Sequence, residues 1–174
     1  MFLKLLVVFS ICVSYAAAGV VNTVDCKDTT AHSKDVQMEV SGCDTDAERC
    51  PLLQGHNHTV VFIFEPTRPF LNKTDFRVYG LFPKFSVPYK GKADACEPSR
   101  AVVDGTTCTE LGGFVTGKQY RHESIFSVAK TYPKIKLSVR FTMTDRRSKE
   151  MLLCKEIPVE IKSPPSPEEN EATK

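Results

Sequence analysis

The stretch IKLSVRFTM, residues 135–143, alternates strictly between apolar and polar side chains. Successive side chains of a β-strand point to opposite faces, so this alternation predicts a strand with one buried and one exposed face. Similar alternation occurs at 36–40 (VQMEV) and 156–161 (EIPVEI), and the proline in the second segment predicts an edge strand or a bulge. In no segment of comparable length do apolar residues recur with the period of an α-helix.

Three further segments are strand candidates. Residues 58–64 (HTVVFIF) are mainly apolar on both faces, and residues 74–82 and 124–130 are rich in β-branched and aromatic side chains. Glycine, proline, asparagine and aspartate separate these segments, as is typical of turns. Several short strands without an alternating strand–helix pattern predict an all-β protein, an antiparallel β-sandwich.

The first eighteen residues have the order of a secretory signal. Lys4 precedes an apolar run over 5–15, and three alanines end the segment at 16–18. This pattern predicts a signal peptide at 1–18 that is cleaved after Ala18, and the apolar run is too short to cross about 30 Å of hydrocarbon. We therefore expect a secreted protein, with extracellular fluid and the lysosomal lumen both open as destinations.

Composition describes an ordinary globular chain. Of the 174 residues, 25% are charged and 41% are hydrophobic, which excludes global disorder. The formal net charge of +2 gives no basic footprint for nucleic acid. Residues 163–174 (SPPSPEENEATK) have no apolar side chain larger than alanine, so we expect a disordered tail after a single domain at 19–162.

Six cysteines remain once Cys12 leaves with the signal peptide. An even number in an oxidising compartment predicts three disulfides, but six cysteines allow about 15 pairings and spacing alone does not choose among them. The simplest nested arrangement has two disulfides between cysteines that are close in sequence and one disulfide between distant cysteines. The spacing lacks the close cysteine pairs that zinc sites use, so no metal site is predicted.

Two sequons indicate N-glycosylation, at Asn57 and Asn72. A glycan needs its asparagine to face water. If Asn57 points outward, then Val60, Phe62 and Phe64 point toward the core, because side chains alternate along a strand.

Catalytic patterns are weak in this sequence. His56 and His58 could face the same side of a strand, but no third metal ligand lies nearby. There is no nucleophile elbow, and the scattered serines and histidines define no triad. We therefore predict neither an enzyme nor a cofactor, with an esterase-like hydrolase as an alternative, since triads are recognised by geometry.

The segment Gly80–Pro88 (GLFPKFSVP) carries two phenylalanines and two prolines directly after a predicted strand. Apolar side chains in a loop stiffened by proline predict either a lid on the core or the mouth of an apolar pocket. The pattern alone favours the lid.

Four motifs together resemble the ML lipid-recognition family. They are the pair Asp25-Cys26, the segment 43–51 with cysteines seven apart before a proline, YPKIKL at 132–137, and CKEIPV at 154–159. The likeness covers nearly the whole of 24–162. Within the family it is greatest to the Niemann–Pick type C2 sterol carriers and their arthropod relatives, including group 2 mite allergens.

This resemblance implies an immunoglobulin-like sandwich with an apolar cavity between its sheets. It also implies the disulfides Cys26–Cys154, Cys43–Cys50 and Cys96–Cys108. Motif matching implies that Phe85 and Tyr132 gate the cavity mouth and that Val128 packs on the ligand. The remaining candidates for the cavity wall are Val60, Phe62, Phe64 and Phe141.

The resemblance implies a monomeric, secreted carrier that binds a sterol or a fatty-acid-like lipid and makes transient contact with a membrane or a receptor. A secreted immune or recognition module that binds a microbial lipid or a receptor surface is the alternative. The chain departs from the sterol carriers in having no tryptophan, and Lys155 replaces an aromatic residue on the apolar face of its strand. That lysine could reach the rim or meet an acidic head group.

Overall fold

Residues 136–145 form the middle strand of a sheet, as the alternation at 135–143 predicts. The computed structural model describes residues 19–27 and 29–165; the predicted signal peptide and residues 166–174 of the predicted tail lie outside the described residues. The strands are β1 (Gly19–Val20), β2 (Val24–Asp25), β3 (Ser33–Val40), β4 (Cys50–Leu53), β5 (Asn57–Pro66), β6 (Phe70–Leu71), β7 (Thr74–Leu81), β8 (Ser86–Asp94), β9 (Ser99–Ala101), β10 (Gly113–Phe114), β11 (Tyr120–Ser127), β12 (Lys136–Asp145) and β13 (Met151–Lys162). The predicted all-β class is confirmed.

Two larger sheets and one small ribbon contain these strands. The first sheet has the order β1-β3-β5-β11-β9, and the second has the order β2-β13-β12-β7-β8. The strands β6 and β10 pair with each other. All pairs are antiparallel except β4, which runs parallel to β13. No helix among the described residues is long and apolar enough to span a membrane.

The proline of β13 does not mark a sheet edge. On the side of β13 away from β12, β2 pairs with Lys155 and Glu156, and β4 pairs with residues from Val159 onward. Pro158 lies in the gap between these two partners. The missing N–H of proline is tolerated at such an interruption of the ladder, so the expectation of an edge strand is corrected.

The two sheets pack through aromatic side chains. Phe62 of the first sheet is fully buried, and its ring centroid lies 5.5 Å from that of Phe141 in the second sheet. Phe64 packs against Phe114 and Tyr120 with centroids 5.6 and 6.2 Å apart. Strand β5 therefore points Val60, Phe62 and Phe64 inward, and the start of the strand leaves Asn57 exposed.

Three disulfides fix the edges of the sandwich. They join Cys26 to Cys154, Cys43 to Cys50 and Cys96 to Cys108, which are the pairs that the resemblance implies. The first bridge closes a separation of 128 residues, so the chain-entropy model gives it the largest effect of the three, roughly 4–5 kcal/mol.

Candidate functional site

An apolar cavity lies between the sheets at one end of the sandwich, with a volume of about 250 Å³. Its floor comes from the second sheet and is formed by Val78, Gly80, Leu137, Val139, Val159 and Ile161. Its remaining walls are formed by Leu52, Phe82, Val87, Pro88, Tyr89, Phe126, Tyr132, Pro133 and Ile135. No charged side chain lines it among the described residues. Such a lining suits a hydrophobic ligand.

The cavity exists because small and aliphatic side chains occupy this end of the second sheet. On β12, Leu137 and Val139 face the cavity, whereas Phe141 and Met143 further along the strand are packed in the core. Gly80 on β7 contributes no side chain, and a Cβ built there would lie 3.1 Å from Leu137 Cδ1. The same alternation that fills the rest of the core therefore leaves this end hollow.

The loop that carries Tyr132 forms one side of the cavity mouth. Hydrogen bonds hold it: the Gln54 side chain donates to the Tyr132 carbonyl, and the Tyr132 N–H donates to the Ala129 carbonyl at 3.1 Å. The Ile161 N–H donates to the Ile135 carbonyl at 2.9 Å at the end of the loop. Tyr132 is 36% exposed and lines the cavity, so it lies at the boundary between cavity and solvent.

The hairpin between β7 and β8 forms the opposite side of the mouth. Its turn closes through a 2.9 Å hydrogen bond from the Phe82 N–H to the Phe85 carbonyl, and the two phenylalanine rings stack with centroids 4.8 Å apart. Phe82 lines the cavity, whereas Phe85 is 61% exposed on its outer side. The segment Gly80–Pro88 therefore borders the mouth of an apolar cavity. It does not cover the core as a lid, which the sequence pattern alone favoured.

A smaller cavity of about 120 Å³ lies next to the first. The two share Val78, Tyr89 and Phe126 as lining residues. The rings of Tyr89 and Phe126 lie 4.2 Å apart, and the Tyr89 hydroxyl donates to the Ser127 carbonyl at 2.9 Å and accepts from its N–H at 2.8 Å. This contact joins β8 to β11 across the two sheets and forms a partition between the cavities.

A cavity held between two splayed sheets is the geometry that the sequence motifs imply. The family model described as the ML domain matches residues 20–161. The chain belongs to the ML-domain family. No curated protein sequence matches this chain.

Two solved structures are similar to this ML domain. One is a Niemann-Pick type C2 protein from Japanese carpenter ant, with 20% sequence identity and a TM-score of 0.64, covering 81% of this chain and 99% of the ant chain. The other is chicken MD-1 complexed with lipid IVa, with 14% identity and a TM-score of 0.44, covering 80% of this chain and 96% of the chicken chain. The first likeness supports the immunoglobulin-like sandwich.

The residues that the sequence assigns to the ligand site of this ML domain fall into two groups. Tyr132 lines the main cavity, and Phe141 lines the smaller one. Val128 is buried in the hydrophobic core, where its backbone also bonds with Gly55 and His56, and it lines neither cavity. Val60, Phe62 and Phe64 are packed in the core, and Phe85 is exposed outside Phe82, so these four candidates line neither cavity.

Several cavity residues escaped the sequence analysis. Phe82 lies within the segment 80–88 but had no assigned role, and Tyr89 and Phe126 gave no signal because their contact joins two different sheets. Leu137 and Val159 could have been found, since both fall on the apolar phase of strands that the alternation already predicts.

Lys155 contacts protein rather than the cavity. Its Nζ lies 2.6 Å from Asp25 Oδ1 on the neighbouring strand β2, with only 15% of the lysine side chain exposed. Lys155 therefore lies neither at the rim of the cavity nor at a head-group site, which were the two positions expected from the sequence. The charge is tolerated on this face because the carboxylate of the adjacent strand neutralises it.

His58, one of the two histidines considered as metal ligands, is held by backbone groups. His58 is buried, with Nδ1 3.0 Å from the Ser41 carbonyl and Nε2 accepting from the Leu53 N–H at 3.1 Å. No group of three or more histidines, cysteines or acids in 19–27 and 29–165 is placed to hold a metal ion.

A polar groove of about 400 Å³ lies on the outer face of the second sheet, where Asp75 is the central acid. Burial raises the pKa of Asp75, but the hydrogen bond and charge of Arg146, with Lys92 and Arg77, outweigh it and lower the pKa below its usual value. Arg140 pairs with Glu156 at 2.6 Å in the same region. The charges of this groove are therefore largely neutralised within the protein, which leaves the apolar cavity as the stronger candidate site.

Proposed function

We propose that this ML-domain protein is a carrier that binds a sterol or a similar lipid without covalent chemistry and transfers it to a membrane or a partner. The apolar cavity between the sheets, bordered at its mouth by Tyr132 and Phe82, is the observation that carries the proposal. Its volume is slightly below the range of about 300–1,000 Å³ that is typical of ligand pockets, and the two cavities together fall within it.

The surface around the mouth supports transfer at a membrane. Phe85, Val87 and Tyr132 are large apolar side chains exposed to solvent there. Lys84 and Lys134, which are also exposed, lie in the same two mouth segments. Exposed aromatic rings beside lysines favour contact with the interface of an anionic bilayer, so the lipid could leave the cavity where the protein meets the membrane.

The disulfides and the exposed sequons support a secretory compartment. Three disulfides persist in an oxidising lumen or outside the cell. Both predicted glycosylation sites, Asn57 and Asn72, are exposed. We propose a secreted or lysosomal glycoprotein that acts as a monomer and has no catalytic activity.

Native mass spectrometry of the secreted protein, followed by competition with a fluorescent sterol, tests the carrier function. We expect a bound lipid or saturable uptake of sterol or fatty acid. Tyr132→Ala and Phe82→Ala should each weaken binding by about 1 kcal/mol or more, because each removes apolar contact at the mouth. Val103→Ala is the control, since Val103 is 93% exposed and lines neither cavity.

Transfer is tested with phosphatidylcholine vesicles that contain or lack phosphatidylserine. Faster lipid transfer to the anionic vesicles would support delivery at a membrane. A protein that carries no lipid and takes up neither sterol nor fatty acid would contradict the carrier function and favour recognition through its surface. Equal transfer to both vesicles with intact binding would instead favour a protein partner as the recipient.

A further inference from the structure

The polar groove on the outer face of the second sheet has its acids inside and its cations outside. The side chain of Asp75 is 8% exposed, whereas those of Arg77 and Lys92 are 48% and 55% exposed. Asp145, which also lines the groove, is buried as well. A molecule that approaches this face from solvent therefore meets positive charge first.

Asp75 gathers three cations at one place. Its carboxylate accepts a hydrogen bond from Arg146 Nε and lies 3.6 Å from Arg77 Nη2 and 3.7 Å from Lys92 Nζ. Arg146 also lies 3.4 Å from Asp94 Oδ2, so two carboxylates serve three cations and one positive charge remains. Because a shared carboxylate fixes their positions, these cations are held close together before any ligand arrives.

The turn between β12 and β13 adds positive charge beside these cations. Asp145 accepts a hydrogen bond from the Arg147 N–H at 2.8 Å, so its charge stabilises the turn itself. The Arg146 N–H donates to the Lys73 carbonyl at 2.9 Å, which brings a second turn alongside. Lys73, Arg147 and Lys149 are exposed, and none of them forms an ion pair with a described residue. With the three cations described above they form the basic cluster, which the formal net charge of +2 for the whole chain does not reveal.

The groove beside the basic cluster suits a sulfated sugar. Its volume of about 400 Å³ lies in the range typical of ligand pockets. Arginine donates paired N–H groups to oxyanions, and lysine adds a point charge. None of the large apolar side chains that are exposed on the described residues lines this groove, so it differs from the aromatic mouth that suits a bilayer. The lining adds hydroxyl groups that can bond to sugar hydroxyls, from Thr29, Tyr79, Ser86, Thr142 and Thr144.

The basic cluster and the cavity mouth lie at opposite ends of the same strands. Strand β7 begins beside the cluster at Thr74 and ends next to the mouth at Leu81. Strand β12 runs the other way, from Lys136 near the mouth to Asp145 in the groove. A ligand held by the basic cluster therefore leaves the mouth accessible.

We propose that the basic cluster binds a sulfated polysaccharide outside the cell, with sulfates on the cations and a sugar ring in the groove. This contact holds the protein at a cell surface or in the extracellular matrix while the cavity mouth stays free to exchange lipid. The proposal takes only the secretory compartment from the proposed function and does not depend on what the cavity binds.

The experiment measures binding of a heparin hexasaccharide, and of the same hexasaccharide without its sulfates, by isothermal titration calorimetry. Wild-type protein should bind the sulfated form at least about tenfold more tightly, and added salt should weaken this binding because exposed ion pairs are screened. The variant Lys73→Gln/Arg147→Gln/Lys149→Asn should lose at least about tenfold in affinity, since it removes three exposed ion pairs to sulfate. Asparagine replaces Lys149 because that residue has a φ of 62°, in the left-handed region that asparagine tolerates.

The matched control is Lys34→Gln/Arg100→Gln/Lys130→Gln, which removes the same charge from exposed positions that do not line the groove. Its affinity for the sulfated hexasaccharide should stay close to that of wild type. Equal losses in the two variants would mean that net charge alone drives the binding, and would overturn the site. Each protein is also tested with Asn72→Gln, because a glycan at this predicted position would border Lys73. Absence of sulfate-dependent binding in both forms would overturn the proposal.

A second measurement uses the unmodified protein, so that the result does not depend on the folding of a variant. The NMR signals of the Arg146 Nε–H and of the Thr144 and Lys149 N–H groups should shift when the sulfated hexasaccharide is added. Shifts confined to the mouth, at Tyr132, would overturn the proposal. Binding of the basic cluster to phosphatidylserine vesicles but not to the hexasaccharide would overturn it in favour of a membrane contact. Lipid uptake by the variant of the basic cluster should equal that of wild type, so failure of this proposal and failure of the carrier function are measured separately.

Discussion

The two ends of the sandwich are built from the same strands yet have different interiors. At one end, β5 and β12 place Phe62 and Phe141 against each other with centroids 5.5 Å apart. At the other end, the same β12 places Leu137 and Val139 around a cavity of about 250 Å³. Alternation is equally regular in both halves, so the size of the inward side chains decides whether an end is packed or hollow.

This difference separates stability from binding. The packed end supplies close van der Waals contact and should carry most of the free energy of folding. The side chains around the cavity at the hollow end lack such contacts, and a bound ligand would supply them. Substitutions at the packed end should therefore change unfolding, and substitutions at the hollow end should change lipid affinity.

Truncating the packed end should have the largest effect. Phe62→Ala removes a fully buried ring that contacts Phe76, His122 and Phe141, and we expect a loss of about 3–5 kcal/mol in the free energy of unfolding. Urea unfolding followed by circular dichroism measures it. Leu137→Ala at the cavity is the comparison and should cost no more than about 2 kcal/mol, because part of its surface already faces open space. Equal losses would mean that the two ends are packed alike.

Acid should destabilise the packed end through His122. Burial lowers its pKa to about 4, opposed by the Ala95 carbonyl and the charges of Asp94 and Glu123. The unfolded chain binds a proton near pH 6.5 and the folded protein does not, so stability falls as pH drops through this window. We expect a loss of about 3 kcal/mol between about pH 7 and about pH 4.

Unfolding of the His122→Phe variant across the same range supplies the control. Its stability should be nearly flat between about pH 7 and about pH 5, because His122, the group that causes the loss in this range, has been removed. The lowered pKa values of Asp75, Asp104, Glu110 and Asp145 also remove stability in acid, but chiefly below about pH 4.5, where the unfolded carboxyl groups bind protons and the folded ones do not. An unchanged slope in the variant would show that another group causes the pH dependence.

The strands were predictable from sequence to the extent that one face of each is apolar. Alternation predicts β12, most of β3 and the second half of β13, because the period of two is a local property of the chain, and β-branched and aromatic content predicts β5 and β7. It misses β8, since Pro88 and Gly91 resemble a loop although an exposed edge strand tolerates both. It places β11 too late, at 124–130 instead of Tyr120–Ser127, because Tyr120 and His122 are buried polar residues.

The site was predictable only in part, for a physical reason. Local pattern tells which side chains point inward, and Val60, Phe62 and Phe64 do so. Whether the interior at that level is packed or hollow depends on the summed volume of side chains from both sheets, which no single segment contains. The contact of Tyr89 with Phe126 likewise depends on how β8 faces β11 across the sheets.

A larger side chain should lower lipid affinity when it is placed at the cavity and should lower stability when it is placed in the packed core. Val159→Phe places extra volume beside the cavity, so we expect at least about tenfold weaker lipid binding with a stability change near 1 kcal/mol. Val60→Phe makes the same change in the packed core and should cost about 1–3 kcal/mol in stability through overpacking. Sterol competition and urea unfolding of both variants measure the pair. If Val159→Phe binds lipid normally, the ligand does not occupy this cavity.

The smallest effect on stability is expected at the outer edge of the hollow end. Phe85 is 61% exposed and contacts Phe82 by stacking at 4.8 Å, so Phe85→Ala should change the free energy of unfolding by no more than about 0.5 kcal/mol. It should nevertheless slow lipid transfer to anionic vesicles, because it removes an exposed ring next to Lys84 at the mouth. Phe82→Ala, one ring further in, should weaken equilibrium binding instead. Identical behaviour of the two variants in both assays would mean that the stacked pair acts as a single wall and that the mouth has no separate outer surface for membrane contact.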